Sequence, residues 1–99
     1  MAALYWNSEV RTLTPGTGSI GALKIVIANE LQQSGFSNVR RSELDVSGVK
    51  NSVFVSIAHF PIDGTRCWEV VMGSGDDGDV TKNTVEWLAD EVRRSCFTL

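Results

Sequence analysis

Apolar residues recur along this chain with two different periods. Ile20, Leu23, Ile27 and Leu31 fall at i, i+3, i+7 and i+11, with Val26 widening the stripe. That spacing predicts one amphipathic helix over about 20–33. Gly35 follows it, at the position where a left-handed residue ends a helix. A second helical pattern runs from about Thr81 to Cys96, with Val85, Leu88, Ala89, Val92 and Cys96 on one face. Asn83 three before Glu86 is a capping-type pair, and Asp79 and Thr81 are alternative caps. Between the helices the period drops to two. Strand-like runs cover about Val39–Val46, Val53–Phe60 and Arg66–Met72, with turn chemistry at Ser47-Gly48 and at Pro61-Ile62-Asp63-Gly64. Residues 1–15 read as an N-terminal arm or edge strand that Pro15 closes.

This order predicts an α+β fold, (β)-α-β-β-β-α, as one domain over 1–99. An antiparallel sheet of three to four strands forms one layer, and two helices on one face form the other. A tight turn at Ser47-Gly48 sets Leu44 and Val46 on the face of Val53. A two- or four-residue loop in the second hairpin pairs odd positions with even ones. Val53, Val55 and Ile57 then share the helix-covered face with Trp68, Val70 and Met72, and a one-residue slip would bury Glu69.

Composition narrows the function classes. The 99 residues carry a net charge of −3, 42 % hydrophobic residues and 21 % charged ones. Those values suit an ordinary globular domain, with no electrostatic pull toward nucleic acid or an anionic membrane. The start lacks the features of a signal peptide, and the longest later apolar run, Ile25–Ala28, spans nothing. The expected compartment is the cytoplasm, with Cys67 and Cys96 as free, buried thiols.

Several motifs invite chemistry. Gly16-x-Gly18-x-x-Gly21 opens the first helix, and Asp45 follows at a distance that suits a ribose hydroxyl. A dinucleotide site, however, needs a buried strand before the glycines and further βαβ units after them. Glu9–Pro15 is half polar, and hairpins follow. A loop into a helix is the favoured reading, with Gly21 allowing close helix–sheet packing and a weak anion site as the intermediate one. No cofactor is expected. Asp76, Asp77 and Asp79 are oxygen ligands near one another, yet they more simply favour a helix dipole. His59 and Cys67 lie on opposite faces in the register above, which rules out a thiol–imidazole pair. No catalytic or metal residue is assigned.

The order α-β-β-β-α resembles that of the double-stranded-RNA-binding domain family, in element order alone. The resemblance implies a lysine cluster at the start of the last helix that grips phosphates. Here Asp76, Asp77, Asp79, Glu86, Asp90 and Glu91 accompany the single base Lys82 between 76 and 91. That balance repels phosphate, so no nucleic-acid partner is expected.

The sheet face away from the helices is the most informative surface. In this register it carries Phe54, Ser56, Ala58 and Phe60, then Cys67, Glu69 and Val71, then Arg41, Glu43 and Asp45. Its centre is aromatic and small, and its rim is charged. A two-layer domain would keep that face polar, so this one is expected to meet something. A second copy across a two-fold axis is the favoured occupant, with Tyr5 and Trp6 of the arm taking part. The arm itself and a small apolar or cationic ligand are the other covers. The expected function is a non-catalytic, homodimeric interaction module. The alternative is a ligand-binding protein or small enzyme using Glu69, Glu43 and His59 at a sheet cavity.

Overall fold

A computed structural model describes residues 2–14 and 19–98, with the backbone alone at Thr98. Within it the chain folds as α+β, with all sheet neighbours antiparallel and two helices against the sheet. In chain order the elements are β1 (Ala3–Leu13), α1 (Ile20–Gln33), β2 (Ser37–Arg41), β3 (Asp45–Lys50), β4 (Val53–Pro61), β5 (Arg66–Gly75), α2 (Gly78–Cys96) and the two-residue β6 (Phe97–Thr98). The strands lie side by side as β2-β3-β4-β5-β1-β6. The N-terminal segment is therefore a full strand of the sheet, hydrogen-bonded to β5 along its length.

Both helices begin, and α1 also ends, on local signals. Ser19 caps α1, its hydroxyl accepting from the Ala22 N–H at 3.1 Å. At the other end the Phe36 N–H reaches the Leu31 carbonyl and the Gly35 N–H reaches that of Gln32. With Gly35 at φ +88° and both Leu31 and Phe36 buried, this is a Schellman stop with its hydrophobic contact. The cap of α2 is Asp77, whose carboxylate accepts from the Asp79 and Val80 N–H groups. Asp79, Thr81 and Asn83 all lie inside the helix. Gly21 has no close neighbour that a side chain would strike, so it is not a packing glycine. Val26 is exposed, and Ala28 takes its place in the stripe. Gly16 and Gly18 lie outside the described residues.

The close helix–sheet approach falls on β5 instead. A methyl group on Gly73 would collide with Val85, and one on Gly75 would sit 2.7 Å from the Thr81 hydroxyl. These two glycines let α2 settle onto the sheet. The core between the layers joins Leu23, Ile27 and Leu31 of α1, Val85, Leu88 and Val92 of α2, and Val46, Val53, Val55, Ile57 and Val71 of the sheet.

Two turns differ from expectation, and they decide the register. The run from 39 to 46 breaks at Ser42–Leu44, leaving Leu44 exposed in the break. The hairpin between β3 and β4 turns at Asn51-Ser52, both at positive φ, as a two-residue primed turn requires. Val46 still faces the helices, opposite Ile57. The β4–β5 loop has three residues, Asp63-Gly64-Thr65, closed by the Ile62 N–H donating to the Arg66 carbonyl. The Asp63 carboxylate accepts from the Thr65 and Arg66 N–H groups, and these bonds with the Arg66 side chain pull its pKa down to about 2. Three loop residues pair odd positions with odd. Val55 faces Gly73, Ile57 faces Val71 and His59 faces Glu69. Trp68, Val70 and Met72 therefore point away from the helices, and Cys67, Glu69 and Val71 point toward them.

Candidate functional site

Burying Glu69 requires partners, and two neighbouring strands supply them. Glu69 is 1 % exposed. Arg11 of β1 donates through Nε to Glu69 Oε1 at 3.2 Å, and His59 of β4 places Nε2 2.9 Å from Oε2. Arg11 also binds Glu9 at 2.7 Å. The charge is thus shared across three strands beneath the helices, where His59 lies against the ring of Phe97. Among the described residues no group hydrogen-bonds His59 Nδ1, which is buried. His59 and Cys67 share the helix-facing side, which corrects their expected separation. Burial pushes the Cys67 thiol up to about 11 and that of Cys96 to about 12. Those directions oppose thiolate formation, and His59 Nε2 is committed to Glu69. Neither thiol is an activated nucleophile.

The open face follows from the corrected register. Rows of facing side chains cross β3, β4, β5 and β1 in turn. Val49, Phe54, Ser74 and Leu4 form the first row, and Ser47, Ser56, Met72 and Trp6 the second. Asp45, Ala58, Val70 and Ser8 form the third, and Phe60, Trp68 and Val10 the fourth. Leu4 and Trp6 are each 59 % exposed, Phe54 50 %, Phe60 49 %, and Trp68 and Met72 each 41 %. Leu4, Phe54, Phe60, Trp68 and Val10 stand in the two end rows and Trp6 and Met72 in the second, with small side chains between them at Ser47, Ser56, Ala58 and Ser8. Asp45 is the one carboxylate in these four rows, and the Ser56 hydroxyl binds it.

The ten residues singled out from sequence separate accordingly. Phe54, Ser56, Ala58, Phe60 and Trp6 lie together on the open face. Cys67 and Glu69 are buried on the other face. Tyr5 faces α2, with its hydroxyl donating to Glu86 at 2.9 Å. Arg41 stands opposite Val46, on the helix side of the sheet edge. Glu43 lies in the β2–β3 turn, where its carbonyl and that of Ser42 accept from Lys24. Glu69 and His59 meet, but in the core, and Glu43 is not with them. Sequence reasoning placed Leu4 in the arm expected to take part, but missed Trp68, Met72 and Val10. The signal was present in Leu4, Trp6, Ser8 and Val10, which alternate with polar Asn7, Glu9 and Arg11.

A concavity lies at the other layer. Lys50, Asn51, Val80, Asn83, Thr84 and Trp87 line a groove of about 360 Å³. The Lys50 ammonium sits 4.9 Å from the Trp87 ring and donates to the Ser34 carbonyl at 2.6 Å. It thereby closes the end of α1.

Compared with known protein families and with curated proteins, the chain matches no family model and no curated protein. Among the described residues no helix is long and apolar enough to cross a membrane.

Proposed function

We propose that this protein is a non-catalytic interaction module that self-associates through its open sheet face. The observation that carries the reading is the exposed row structure: Leu4, Trp6, Val10, Phe54, Phe60, Trp68 and Met72 on one continuous surface. Isolated apolar residues need no explanation, but a contiguous patch of this kind marks a contact site. Its mixture of bulky and small side chains suits interdigitation with another sheet about 10 Å away.

Size supports a second copy as the occupant. Four strands about 4.8 Å apart, crossed by four rows about 7 Å apart, offer roughly 540 Å² per copy. Two copies would bury about 1,100 Å², just above the roughly 1,000 Å² that a specific interface should clear. The charge-poor face has little to offer a polar ligand, and its carboxylate already holds Ser56. Buried, unpaired thiols suit a reducing compartment, and we extend the reading to the cytoplasm on that ground.

Phe60→Glu tests this. The substitution puts a charge into the patch without touching the core. The expected result is a twofold drop in solution mass with unchanged circular dichroism. An unchanged mass would overturn the reading.

A further inference from the structure

The two edges of the sheet are built differently, and the difference points to a second contact. The β2 edge has five residues, a register shift between Ser37 and Arg40, Asn38 at φ +53°, and exposed Arg40 and Arg41. Short length, irregularity and positive charge are the usual protections of an edge strand. The β1 edge has none of them over most of its eleven residues. Among the described residues only β6 pairs with its outer side, at Thr12 and Leu13.

Which backbone groups are open there follows from one hydrogen bond. The Leu13 N–H donates to the Thr65 carbonyl at 2.8 Å. In an antiparallel ladder, residues that bond inward alternate with residues that bond outward. The odd positions of β1 therefore bond to β5. The N–H and C=O groups of Leu4, Trp6, Ser8 and Val10 point away from the sheet. A long run of unpaired, outward-pointing groups is a template for another strand.

We infer that β1 pairs antiparallel with β1 of a second copy, about a two-fold axis at Asn7. One register engages all four open residues: Leu4 opposite Val10 of the second copy, and Trp6 opposite Ser8 of the second copy. Each such pair exchanges two N–H···O bonds. The side-chain matches favour the same register. Leu4 and Val10 meet as an apolar pair on the open face, so that face runs on from one copy into the next. On the helix side Glu9 faces Tyr5 of the second copy, and the paired stretch ends at Leu4 and Val10 because β6 holds the lane beside Thr12. No like charges stand opposite each other. The protected β2 edge leaves a symmetric β1–β1 contact as the closed solution. This contact is separate from the face-to-face one and does not rest on it.

The test is a crosslink in the Phe60→Glu background, where the face contact is removed. Asn7 faces itself across the axis as a non-hydrogen-bonded pair, with Cα atoms about 4.5 Å apart, within disulfide range. Cys67 and Cys96 are buried and do not compete. Asn7→Cys under mild oxidation is expected to convert to a covalent dimer, whereas Asn51→Cys, on an exposed turn, remains monomeric. Amide exchange on the Phe60→Glu protein gives a second readout. The Leu4, Trp6, Ser8 and Val10 amides are expected to exchange within about tenfold of Tyr5, Asn7 and Glu9. Crosslinking of Asn7→Cys no better than that of Asn51→Cys would overturn the inference. So would free exchange at the even amides beside protected odd ones.

Discussion

Phe54 and Val55 are neighbours in β4, and Val55 is fully buried while Phe54 is half exposed. Val71 and Met72 in β5 repeat the contrast. Along these strands both faces are rich in apolar side chains, but the helices cover only one. The covered face even takes in a charge, because Arg11 and His59 compensate Glu69. The open face carries aromatic and aliphatic side chains, and no second layer covers it among the described residues. Apolar content therefore does not distinguish inside from outside here. What distinguishes them is which face the turns and the glycines of β5 present to the helices.

The contrast can be broken most severely at the buried charge. Glu69→Leu leaves Arg11 and His59 without their carboxylate and is expected to cost about 3–5 kcal/mol. Urea denaturation would show it as a lowered midpoint. Converting Arg11 and His59 to apolar residues as well should restore much of the loss, because well-packed hydrophobic replacements of buried ion clusters are often neutral. Next in size is Gly73→Ala. Its methyl group meets Val85, and overpacking of this kind costs about 1–3 kcal/mol. The same change at Ser74, on the open face, should alter stability by under about 0.5 kcal/mol.

The last effect, absent at neutral pH, is a pH dependence at the covered face. The folded thiols ionise near 11 and 12, above the ordinary value of 9.0. Above about pH 9 the unfolded chain releases these protons and the folded chain keeps them, so stability falls as pH rises. Replacing Cys67 and Cys96 with Ala should flatten that alkaline slope in a denaturation series. In the native protein both thiols should resist alkylation at neutral pH.

Most of the architecture was legible from local signals. The α1 stripe and its Gly35 stop predict the observed Ile20–Gln33 helix, and the order of elements follows from the change of period. The faces of β5 were not legible, because one loop residue decides them. Pro61-Ile62-Asp63-Gly64 reads as an even-length loop, but Asp63 organises a three-residue turn through Thr65 and Arg66. Glu69 strengthened the wrong choice, since a lone carboxylate belongs outside. Its partners come from β1 and β4, and no local pattern announces an arrangement spanning 58 residues between Arg11 and Glu69. The open face was thus anticipated through Phe54, Ser56, Ala58, Phe60 and Trp6. Its β5 half was misread for the same reason that Glu69 was.

The most direct measurement is the solution mass of the unaltered chain by sedimentation equilibrium over a wide concentration range. A covered open face predicts two or four times the 10.8 kDa chain mass. A mass of one chain at every concentration, with Trp6 and Trp68 open to an aqueous quencher, would contradict the account.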